Sequence, residues 1–153
     1  MFRIDYELRG TGWAYLTVTH DDVTRRMEVS YIGPDILDLV WRTAQLLDGM
    51  PLITVEFETE PGEHLWTMRR EGEAVHLTIE SSVSHMIDAE ADTWEDEAWS
   101  LTATVPLTVL AQAVLAAFDT VMDTIGVAGY EKHWVHPFSG TASADAIRAW
   151  LAR

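Results

Sequence analysis

Phe2, Ile4, Tyr6 and Leu8 alternate with Arg3, Asp5, Glu7 and Arg9, the period of two that belongs to a strand with one wet face. Gly10-Thr11-Gly12 breaks the pattern. Trp13 to His20 and Val23 to Ile32 are rich in Val, Thr, Tyr and other strand formers, with Asp21-Asp22 between them as a turn, so the first thirty residues or so predict an antiparallel meander. Gly33-Pro34 then opens a helix, Pro34 suiting its first position. Ile36, Leu39, Val40, Thr43, Leu46 and Leu47 recur at helical spacing until Gly49 stops it.

Strands resume at Leu52 to Thr59, where Ile53, Val55 and Phe57 face one way and Thr54, Glu56 and Glu58 the other. Pro61-Gly62 makes the next turn, His64 to Arg70 and Ala74 to Glu80 form a hairpin around Glu71-Gly72, and a last strand runs through Trp99, Leu101, Ala103 and Val105. A second helix from Leu107 to Ile125 is apolar on most sides and approaches the length of a membrane span. Gln112, Asp119 and Asp123 make insertion expensive, so it is expected to be buried in the protein, with Leu110, Val114, Phe118 and Val121 inside, or covered by a second copy in a homo-oligomer. Gly126 closes it, Val127 to Gly140 reads as loop, and Ser143 caps a short final helix carrying Ile147, Trp150 and Leu151. The order βββαββββαα predicts one α+β domain over residues 1–153, with a single antiparallel sheet of six to seven strands and its helices on one face.

At 48% hydrophobic residues a chain of 153 can build a real core. Cysteine is absent, which removes disulfides, thiolate nucleophiles and Cys-ligated zinc. The alternating start lacks the apolar run of a signal peptide, so a cytoplasmic location is expected.

Charge changes the picture most. From Glu71 to Glu131 there are 12 Asp and Glu and no Lys or Arg, and this stretch carries most of the net charge of -15. A surface of one sign repels phosphate backbones and attracts cations or basic proteins, so nucleic acid and anionic membrane are not expected as partners. Six acids lie between Asp88 and Glu97, in a connection longer than a hairpin needs. Asp88, Glu90 and Asp92 alternate like the first ligands of an EF-hand loop, but the positions that should be Gly and Glu are Thr93 and Trp99. The bland reading is a solvated loop. The functional one makes Asp88, Glu90, Asp92, Glu95, Asp96 and Glu97 the field around an anchor, Trp94, that binds a basic protein.

His133 and His136 have a spacing that suits one side of a helix turn, and His85 with Asp88 and Glu90 offers more ligands. A lone His-x-x-His does not make a zinc site, so no metal and no cofactor are expected. Neither a Gly-x-Ser-x-Gly elbow, a phosphate-cradling loop nor a His-Glu-x-x-His motif occurs, so no catalytic residues are assigned. Trp13, Trp41, Trp66, Trp99 and Trp150 read as core or core-edge residues.

Glu60-Pro61-Gly62-Glu63-His64-Leu65-Trp66 and Trp134-Val135-His136-Pro137-Phe138, together with Gly12-Trp13-Ala14 and Leu46-Leu47-Asp48-Gly49, resemble a group of small uncharacterised bacterial proteins. The group places an Arg before the first of these tryptophans, where this chain has Leu65. The resemblance implies a single α+β domain and carries no activity. Taken together, the sequence predicts a non-enzymatic interaction domain for a basic partner, in concrete form an immunity protein that blocks a cationic toxin. The alternative is a small-molecule-binding or enzymatic domain with a cleft between the sheet and the second helix.

Overall fold

The computed structural model describes Met1–Arg153. Its elements run β1 (Phe2–Arg9), β2 (Trp13–His20), β3 (Val23–Ser30), α1 (Ile36–Leu47), β4 (Leu52–Thr59), β5 (Gly62–Glu71), β6 (Ala74–Asp88), β7 (Thr93–Pro106), α2 (Leu107–Trp134) and α3 (Ala142–Leu151). Order and count follow the hydrophobic pattern. The sheet does not: the strands form two antiparallel sheets, β1-β2-β3 and β4-β5-β6-β7, and not one of six to seven strands.

The reason lies at β3. Its neighbour in the second sheet is no strand partner. The imidazole of His64 on β5 donates from Nε2 to the carbonyl of Glu28 at 3.2 Å, and the Ser30 hydroxyl donates to the Glu60 carboxylate at 2.8 Å. Gly33 passes so close to β4 that an added Cβ would lie 2.5 Å from Cγ of Glu58. Side chains therefore join the sheets where a ladder was expected. Alternation fixes which face of a strand is buried, but not which strand lies beside it.

Within each sheet the inward positions are those of the pattern. Ile4, Tyr6, Leu16, Val18, Met27 and Val29 line the first sheet, and Val55, Phe57, Trp66, Met68, Leu77 and Ile79 the second. These residues and the helices form one cluster of 35 buried apolar residues. Leu110, Val114, Phe118 and Val121 of α2 are buried in it, as expected of a helix too apolar to face water.

Three local boundaries differ. α1 begins after Asp35, not at Pro34: Asp35 accepts from the amides of Leu37 and Asp38 while Asp38 accepts from the amide of Asp35, a reciprocal cap. α2 passes a break at Gly126 (φ 65°) and stays helical to Trp134, where a loop was expected, because Tyr130 and Trp134, one turn apart, are both buried. α3 starts after Thr141, ahead of Ser143. Trp41, expected at the core or its edge, is 46% exposed, with the Arg42 guanidinium 4.4 Å from its ring centre.

Candidate functional site

The acidic segment is not a loop. β5 begins only at Gly62, opposite Val83, but β6 and β7 go on pairing past that point through Ser84↔Asp96, His85↔Glu95 and Met86↔Trp94. Beyond the sheet they form a two-stranded arm, with a bulge at Ile87 and a turn over Ala89 to Asp92. Asp88 shapes that turn, its Oδ1 accepting the amides of Glu90 at 3.0 Å and Ala91 at 3.2 Å, and Asp92 takes the left-handed conformation (φ 49°) that Asp tolerates well. Of the seven residues assigned to partner binding, Glu90 and Asp92 sit in the turn, Asp88 ends β6, and Trp94, Glu95, Asp96 and Glu97 lie in β7. All seven are exposed.

Alternation along paired strands gives the arm two faces. On one, Trp94 stands opposite Met86 and Asp96 opposite Ser84, whose hydroxyl donates to the Asp96 carboxylate at 2.6 Å. The Trp94 indole N–H donates to Asp92 at 3.2 Å, and its ring is 44% exposed beside Met86 at 47% and Ile87 at 60%. On the other face His85 meets Glu97 at 3.3 Å. Carboxylates so close together, with no Lys or Arg in the arm, give it a strongly negative field around a small apolar patch.

At the base of the arm a cleft of about 400 Å³ runs between the edge of β3 and the second sheet, lined among others by Tyr15, Arg26, His64, His85, Glu97 and Trp99. The Arg26 guanidinium lies 3.5 Å from the Tyr15 ring centre, and that of Arg25 lies 5.6 Å from Trp99. His64 is buried, which pushes its imidazole toward the neutral form. With Nε2 donating to Glu28, Nδ1 accepts the Ser81 hydroxyl at 2.8 Å, so this histidine fastens the two sheets.

His133 and His136 do not converge. Nδ1 of His133 donates to the carbonyl of Gly10 and Nε2 of His136 donates to that of Tyr31, the latter at 2.9 Å. With the Gly12 amide bonded to the His133 carbonyl, the segment from Trp134 to Phe138 latches the C-terminal part onto the β1–β2 turn and the end of β3. That accounts for the Trp-Val-His-Pro-Phe segment structurally. The candidate ligand atoms that do cluster are carboxylate oxygens of Glu56, Glu58 and Glu63 on β4 and β5, within 4.8 Å of one another. A hydrogen bond with Glu56, and then its negative charge, raise the Glu63 carboxyl above the ordinary range. Two alternating acids facing a third across the Pro61-Gly62 turn were the signal for this trio.

A second feature was not foreseen. A cavity of about 410 Å³ beside α1 is lined by Asp35, Asp38, Trp41, Tyr130, Trp134 and His136, among others. Asp35 is buried, caps α1 with one oxygen and accepts the Tyr130 hydroxyl with the other. Burial raises its carboxyl to about 6, although the Tyr130 hydrogen bond pulls the other way, and burial beside Asp35 raises the Tyr130 phenol too. The cleft expected between sheet and second helix corresponds to a cavity of about 700 Å³ where α2 meets β1. Its rim carries Arg3 paired with Asp5 at 2.7 Å, an exposed ion pair.

No family model and no curated protein matches the chain. Among solved structures it is similar to a CdiA-CT/CdiI toxin and immunity complex from Enterobacter cloacae, at 12% identity and a TM-score of 0.44, over 78% of this chain and 99% of that one. A likeness at that level is no basis for assigning a fold or a function.

Proposed function

We propose that the chain is a protein-interaction domain whose acidic arm captures a basic protein, and that its concrete role is that of an immunity protein neutralising a cationic toxin. The arm carries this reading. A two-stranded hairpin alone is marginal in water, and this one leaves Met86, Ile87 and Trp94 half-exposed amid six carboxylates, a combination that a partner surface of opposite sign would cover. Rim charges steer encounter, and a desolvated aromatic holds the complex together. The proposal rests on charge and on the arm, and takes nothing from the Enterobacter likeness.

The test is co-expression with the polypeptide encoded by the adjacent gene. The proposal expects that polypeptide to be basic and toxic alone, to form a complex with this chain, and to release Trp94→Ala faster than wild type. An adjacent product that is neither toxic nor bound, or a complex indifferent to Trp94→Ala, contradicts it.

A further inference from the structure

β7 is the last strand of its sheet, and nothing pairs with its far side. Which of its backbone groups are free follows from one bond. The amide of Leu107 donates to the carbonyl of Glu73 at 2.8 Å, directly beyond the Ala74↔Pro106 pair, so residues 73 and 107 are a hydrogen-bonded pair. In an antiparallel ladder such pairs alternate with pairs that point their N–H and C=O groups away. The register runs unshifted from Ala74↔Pro106 to Met86↔Trp94. The odd-numbered residues of β7 therefore bond to β6, while Trp94, Asp96, Ala98, Ser100, Thr102 and Thr104 aim their amides and carbonyls outward. All six are exposed. Pro106, which has no N–H, falls in the same outward set, where its lack costs no ladder bond.

Open edges are usually guarded by lysines, prolines within the strand, bulges or a covering element. β7 has no lysine, its proline is its last residue, and the bulge of the arm lies in β6. What it has is a row of small residues at its outward positions, Ala98, Ser100, Thr102 and Thr104, next to the acids Glu95, Asp96 and Glu97.

We propose that this edge takes up an extended strand of the basic partner as a fifth strand, with lysines or arginines of that strand beside Trp94 to Glu97 and small or β-branched residues beside Ala98 to Thr104. The inference rests on the basic-partner reading above and adds how the partner is held. Main-chain hydrogen bonds to the six outward residues supply affinity, and the carboxylates select the sign of the incoming strand. A second copy would bring the same acidic stretch to the edge, which makes a basic strand the better occupant.

The test uses amide hydrogen exchange with three synthetic peptides. One alternates threonine and valine and carries lysines at one end, a second has those lysines replaced by glutamine, and a third is the lysine peptide N-methylated along the backbone edge that would pair. In the free protein the six outward amides should exchange faster than those of Glu97, Trp99, Leu101 and Ala103. The lysine peptide should slow them by about tenfold or more, the other two should not, and Thr102→Pro, which removes an amide that β6 does not use, should weaken the lysine peptide by about tenfold. Equal binding of the lysine and N-methylated peptides without edge protection would overturn strand addition and leave the basic-partner reading standing. Equal protection by the glutamine peptide would instead overturn the basic-partner reading. Edge protection that grows with protein concentration alone would assign the edge to a second copy, and failure of every peptide to bind would overturn the inference outright.

Discussion

Asp35→Asn is the perturbation whose size can be worked out most fully. Burial holds the Asp35 carboxyl at about 6 against an ordinary 3.8, in contact with Tyr130 and facing Tyr6 and Asp38, with no cation among the groups that shift it. A carboxyl raised on folding binds its proton more tightly in the native state. Its contribution to stability is complete below about pH 3.8 and is lost as pH rises through about 6. The whole difference is on the order of 3 kcal/mol, most of it present at about pH 4 and almost none at about pH 7.5. Asparagine can keep the cap of α1 through its oxygen while its amide nitrogen donates to the Tyr130 hydroxyl, so the fold should survive. Urea unfolding followed by the fluorescence of buried Trp66 and Trp134, for both proteins across this range, isolates the site from the other carboxylates. Wild type should gain roughly 2–3 kcal/mol relative to the variant on acidification. A difference between the two that does not change with pH would refute the reasoning.

Other consequences can be checked alongside. Trp66→Ala, which empties a fully buried site against Phe57, should cost about 3–5 kcal/mol in urea unfolding. Gly62→Ala places a Cβ 2.3 Å from the Ser82 carbonyl oxygen at a φ of +127°, so it should lower the thermal midpoint, whereas Gly72→Ala, whose Cβ meets nothing within 4 Å, should lower it less. Trp94→Ala should leave the thermal midpoint unchanged and, with a partner bound, raise the dissociation rate about 30-fold, the equivalent of about 2 kcal/mol.

How far the sequence could be read depended on whether a feature was local. Period-two runs such as Phe2 to Leu8 and Ile53 to Phe57 mark strands because alternation is imposed by the pleat itself, and Leu110, Val114 and Phe118 mark a buried face because they share one side of a helix. Sheet membership is a long-range property. Whether β3 pairs on its free edge with a strand of the second sheet or is held to it by His64 depends on atoms 36 residues away, and no pattern within β3 encodes it. The acidic segment reads as a loop from sequence for a related reason: Glu95 to Glu97 has little β-propensity, and its strand exists because the β6–β7 ladder carries it beyond Gly62, where β5 begins. Its residues are exposed, which a run of charge implies without knowledge of the fold. The Asp35–Tyr130 contact joins positions 95 apart and left only the Asp35/Asp38 spacing as a trace.

The claim that the arm captures a basic partner is tested most directly by association kinetics between the adjacent-gene polypeptide and two forms of this chain, wild type and Glu95→Gln/Asp96→Asn/Glu97→Gln, over a range of salt. The account predicts that neutralising these three arm carboxylates slows association by about tenfold at low salt and flattens its dependence on salt, with the dissociation rate little changed. Identical association rates and salt slopes for the two forms would mean that the arm is a solvated projection and that the partner, if bound, sits elsewhere.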